Sequence, residues 1–91
     1  ASVCFLGADA VSIANGISEH NMYDMRLKQI MIENSAKVIL LADHSKFTNS
    51  AFIRVAPLEQ VDVLITDAHL DKATLQEMDQ YKIEVIQVPE N

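Results

Sequence analysis

Cysteine occurs once in these 91 residues, at Cys4, so no internal disulfide can staple the chain. It sits in an apolar run, which reads as a buried thiol in a reducing cytoplasm. Glycine occurs only twice, too seldom for a phosphate-cradling glycine loop. Cations are also scarce, with 7 Lys+Arg against 13 Asp+Glu and a formal charge of −6. Duplex DNA is held by clustered cations that neutralise phosphates, and the basic residues here are scattered. These residues are therefore not expected to touch DNA themselves. No apolar run approaches the roughly 20 residues of a membrane span, and no signal-peptide pattern is present. His20, His44 and His69 lack the close spacing of zinc ligands, so no metal or other cofactor is expected.

What is present suits one small domain: the chain is 49% hydrophobic, enough to bury a core. Residues 2–6 read as a strand ended by Gly7-Ala8-Asp9. Residues 10–21, with the turn signal Asn15-Gly16, read as a loop. Asn21 is placed to cap a helix running to about Ala36, with Asp24 in its first turn. Tyr23, Leu27, Ile30 and Met31 recur at helical spacing on one side of it. Residues 37–42 and 61–66 read as strands, and 83–88 as a last strand. Between the first two, residues 43–60 are mostly loop, in which 52–55 form a short strand or turn and Pro57 forbids a central strand. Asp71 starts a helix to about Gln80, with Leu75 and Met78 facing inward.

Strands that alternate with helices and are apolar almost throughout predict an α/β fold with a mainly parallel sheet covered on both faces. Three strands then end in an acid: Asp9, Asp43 and Asp67. In open α/β sheets the carboxyl ends of the strands form the ligand crevice, so parallel strands would bring all three acids to one edge. For Asp67 the plainer reading, a cap on the next loop or helix, is preferred. Asp9 and Asp43 sit in short polar clusters and are read as functional.

The ordered series FLGAD (5–9), Asn15-Gly16, DMRLKQIMI (24–32), VILLADHSKF (38–47), RVAPL (54–58) and VDVLITD (61–67) resembles the effector half of the DeoR family of bacterial transcriptional repressors. The resemblance spans nearly the whole chain, and its DxSKF and LITD motifs are its most specific parts. It implies a Rossmann-like sensor, similar in fold to ribose-phosphate isomerases, that binds a phosphorylated sugar. It also implies that residues 1–91 are the C-terminal part of that sensing domain, with a DNA-binding winged helix-turn-helix outside this chain. A cytoplasmic homo-oligomer, in contact with DNA only through that other domain and with no membrane, is expected. Ala10 and Thr48 depart from the family, standing where glycine is usual.

The residues that this resemblance nominates for effector binding are Asp9, Asp43, Ser45, Lys46 and Lys28. Lys46 would meet a phosphate or sugar oxygen together with the Ser45 hydroxyl. Without the resemblance, Lys46 would read as a solvated loop lysine. Asp9 would accept from sugar hydroxyls, and Asp43 would either do the same or position Lys46. For Lys28 an i,i+4 pair with Asp24 is an equally good reading. Arg54 would pair with an acid across an interface or anchor the RVAPL loop. The alternative, a sugar-phosphate isomerase, needs a carboxylate base. Leu6 and Lys28 stand where that enzyme family carries acids, so a binding protein without turnover is expected.

Overall fold

A computed structural model describes residues 2–89. The elements run β1 (Val3–Leu6), β2 (Ala10–Ser12), β3 (Gly16–Glu19), α1 (Met22–Glu33), β4 (Lys37–Leu41), β5 (Ile53–Ala56), β6 (Val63–Thr66), α2 (Lys72–Gln80) and β7 (Glu84–Gln87). Single turns of 3₁₀ helix at His44–Phe47 and Leu58–Gln60 flank β5. β1, β4, β6 and β7 form a four-stranded parallel sheet in the order β1-β4-β6-β7. β2, β3 and β5 form a small antiparallel sheet in the order β2-β3-β5. The α/β class and the mainly parallel sheet therefore agree with the sequence pattern.

The segment expected to be a loop, 10–21, is instead a β-hairpin, with Val11 opposite Ile17. Its strands carry no polar–apolar alternation, because all four residues of β3 are buried, and period 2 is the signal by which a half-buried strand announces itself. Gly16 starts β3 at φ 72, a conformation that favours glycine. A Cβ there would run into the backbone of Ala56 and come within 2.9 Å of the Leu58 amide nitrogen. The turn thus seats directly on the Ala56-Pro57-Leu58 corner. β5 is an edge strand ending just before Pro57, as that residue requires.

The Asn21 side chain caps α1 by accepting from the Asp24 amide, as expected. The helix ends about three residues early. Asn34 Nδ2 donates to the Ile30 carbonyl and Ser35 Oγ to the Met31 carbonyl, so side chains take over acceptors of the last turn. The stripe of Tyr23, Leu27, Ile30 and Met31 faces solvent. The side turned to the core carries Met25, Lys28, Gln29 and Ile32. α2 follows the expectation more closely: Asp71 caps it through the Thr74 amide, Met78 is buried and Leu75 is half-buried.

The core lies on one face of the parallel sheet. Cys4, Leu6, Val38, Leu40 and Leu64 pack there against Val11 and Ile17 of the hairpin, Val55, Ile32 of α1 and Met78 of α2. The opposite face, expected to be covered, leaves Val3, Phe5, Leu41 and Ile86 exposed. The strands are apolar on both faces, as read, but the described residues supply a layer for only one. Phe5 next to Ile39, Leu41 next to Ile65, and Ile65 next to Ile86 make this open face continuous across the sheet.

Candidate functional site

Parallel pairing brings the carboxyl ends of β1, β4 and β6 to one edge, and Asp9, Asp43 and Asp67 follow those ends, as the sequence pattern required. Asp43 caps the turn that follows β4. Its carboxylate accepts from the Ser45 amide at 2.9 Å and from the Ser45 hydroxyl. The Ser45 hydroxyl above all holds the Asp43 carboxyl below the usual carboxylate value; desolvation opposes it, and the Ser45 amide and the nearby Lys46 and His44 add to the lowering. Asp67 reaches across from β6 to accept from the His44 amide at 2.7 Å, with the His44 ring 3.2 Å away. It is structural, as favoured from sequence, but it holds the turn after β4 rather than the loop or helix that follows β6.

The end of β1 meets the same turn. Asn49 Nδ2 donates to the Asp9 carbonyl at 3.3 Å, and the turn packs against β2. Asp9 and the Asp43–Lys46 segment are thus brought together. The Asp9 carboxylate accepts from the His20 amide at 2.9 Å through Oδ2. Lys46 is half-buried, and its ammonium makes no hydrogen bond or ion pair within the described residues.

Lys28 is placed differently. It does not pair with Asp24, which is held by Asn21 Nδ2 at 2.8 Å. Its ammonium instead donates to the Gly7 carbonyl at 2.6 Å and pairs with Glu19 at 2.9 Å. Glu19 is only 2% exposed and uses its second oxygen to accept from the Asp9 amide at 2.9 Å. Sequence reasoning missed Glu19, because it fell in the presumed loop, where an acid reads as solvated. Arg54 is exposed and has no partner within the described residues. The RVAPL segment is held by Gln29 Nε2, which donates to the Val55 carbonyl at 3.0 Å.

A trough of about 540 Å³ opens beside Asp43 between the ends of β4, β6 and β7, with Leu41 and Ile65 in its wall and Asp43, His44 and Asp67 at its rim. Among the described residues no group of three or more His, Cys, Asp or Glu side chains is placed to hold a metal. Among the described residues no helix is long and apolar enough to cross a membrane. Where glycine is usual in the family, Ala10 is a buried strand residue and Thr48 closes the turn, its hydroxyl 3.1 Å from the Ser45 carbonyl. Neither has a positive φ, so neither replacement is strained.

Residues 1–68 match the family described as the DeoR C terminal sensor domain. Among curated proteins, the chain is 37% identical over 90% of its length to the HTH-type transcriptional regulator GlpR of Haloferax volcanii, covering 32% of that protein. It is 40% identical over 93% of its length to the uncharacterized HTH-type transcriptional regulator YulB of Bacillus subtilis, covering 33% of it. It is 30% identical over 88% of its length to the glycerol-3-phosphate regulon repressor of Escherichia coli, covering 32% of it. The chain therefore spans about a third of the length of these relatives.

Proposed function

The chain belongs to the family of DeoR C-terminal sensor domains, and from that premise we propose that residues 1–91 are the C-terminal part of an effector-sensing domain in a transcriptional regulator. The effector is a phosphorylated sugar or sugar derivative. Its binding controls a winged helix-turn-helix elsewhere in the same cytoplasmic protein, and that domain, not this acidic chain, contacts DNA. The sensor is Rossmann-like and related in fold to the ribose-phosphate isomerases.

One observation carries the reading. Lys46 is a cation without a protein partner among the described residues, in the turn that Asp43 caps at the carboxyl edge of a parallel sheet, where Asp9 and Asp43 already accept hydrogen bonds from the chain. A phosphate dianion there would be repelled by Asp9 and Asp43 unless a cation met it, and Lys46 supplies that charge. Ser45 and the remaining acceptors of Asp9 and Asp43 then serve the hydroxyls. Lys28 contributes from behind, through Gly7 and Glu19.

The isomerase alternative is disfavoured. Leu6 is buried in the core, and Lys28 is tied to Glu19, so neither position offers a base beside a carbonyl. Calorimetric titration of the intact protein with a panel of phosphosugars and their unphosphorylated parents tests the reading. Binding of at least one phosphoester, but not its parent sugar, is expected; binding of none contradicts it. The protein is also proposed to self-associate through apolar surface such as the outer stripe of α1, Tyr23, Leu27 and Ile30. Sedimentation should then show a dimer or larger, and a monomer at high micromolar concentration would refute this.

A further inference from the structure

We propose that Glu19 and Lys28 form a buried clamp that sets the backbone around Ala8 and thereby aims the Asp9 carboxylate at the effector, so that both act as positioning residues. This rests on the effector reading above. The Gly7 carbonyl and the Asp9 amide belong to the two peptide units that flank Ala8. Lys28 holds the first at 2.6 Å and Glu19 the second at 2.9 Å, while Lys28 and Glu19 hold each other at 2.9 Å. The four bonding groups close a ring around one residue and fix both peptide planes at once.

Ala8 packs in the core, but Gly7 has open space where a Cβ would point, so no side-chain contact at Gly7 helps to orient the first peptide unit. A buried ion pair is also weak evidence for stability, since well-packed apolar residues often do as well in its place. What the pair supplies here is direction. The end of β3 and the residue after it grip Asp9, Glu19 at the amide and His20 at carboxylate Oδ2, and leave Oδ1 without a partner among the described residues. Two of the three Lys28 ammonium protons are taken by the Gly7 carbonyl and Glu19.

The test compares intact wild-type protein with Lys28→Met and with the double variant Glu19→Leu/Lys28→Met. The double variant leaves no unpaired buried charge, and the Asp9 amide keeps its second acceptor, the Ser18 carbonyl at 3.2 Å. Three quantities are read: melting temperature, hydrogen exchange of the peptide spanning residues 7–10, and calorimetric affinity for glycerol 3-phosphate and fructose 1-phosphate. Lys28→Met should lower the melting temperature, and the double variant should recover most of it. In both variants exchange at residues 7–10 should quicken and affinity fall about tenfold. A double variant that recovers affinity along with stability overturns the proposal, because the pair would then be structural only. Affinity lost while exchange at 7–10 stays unchanged also overturns it and makes Lys28 a direct ligand. If wild type binds neither phosphoester, the effector reading is the casualty. The clamp is then judged by exchange alone, and unchanged exchange in the double variant rejects it.

Discussion

The carboxyl ends of β1 and β4 are neighbours, and each combines an acid with a nearby lysine, yet they are built on opposite plans. At the end of β1 the charges close on one another: Lys28 pairs with the buried Glu19, and the two hold the backbone on both sides of Ala8. At the end of β4 the acid closes only on its own turn, where Asp43 caps Ser45 and Lys46 keeps its ammonium unengaged. A lysine whose protons are already used inside cannot offer them to a ligand without stranding a buried carboxylate. One left unpaired among acids is available to an anion. On the proposed reading, the charges at the first end position the Asp9 carboxylate, and the lysine at the second is left to meet the phosphate.

The largest effect that separates the two ends should appear in stability. Lys28→Met leaves Glu19 charged and buried without its partner. Removing one member of a buried pair typically costs 3–5 kcal/mol, and the lower value, about 3 kcal/mol, is expected because the Lys28 side chain is 21% exposed. Lys46→Ala should move stability by no more than about 0.5 kcal/mol. Chemical denaturation of the two variants checks the contrast, and equal losses would erase it.

The smallest effect concerns acid. The Asp43 carboxyl is held below its ordinary value chiefly by the Ser45 hydroxyl, so its folded pKa lies under its unfolded one. Such a group contributes stability that is fully present above the unfolded value, near 3.8, and is lost as pH falls through the folded value. Melting curves taken between pH 6 and pH 2 should therefore fall less steeply at the acid end for Ser45→Ala than for wild type. Coincident profiles would show that the turn is not held through Asp43.

Much of this could be read before the fold was known, and particular residues show why the rest could not. β4 and β6 were legible because both of their faces are apolar, and α2 because its cap, Asp71, and its core residue, Met78, stand at helical spacing. The three acids were placed correctly because parallel pairing alone sends strand ends to one edge. The hairpin was missed because Gly16, Ile17, Ser18 and Glu19 are all buried, so no alternation marks the strand. Glu19 was missed with it, since a buried acid is recognised only through its partner, and Lys28 lies nine residues away on another element. The stripe on α1 was real as a pattern, but periodicity reports that residues share a side, not which neighbour covers that side. The open sheet face poses the same difficulty.

The most direct test of the central claim is calorimetric titration of the intact protein with its best-bound phosphosugar, wild type against Lys46→Ala, with the melting temperature of each recorded alongside. A charge-assisted hydrogen bond from Lys46 to the phosphate is worth roughly 1.5–3 kcal/mol. The variant should therefore bind about ten- to a hundredfold more weakly while melting within a few degrees of wild type. Equal affinities for the two proteins would contradict the account and return Lys46 to the status of a solvated loop lysine.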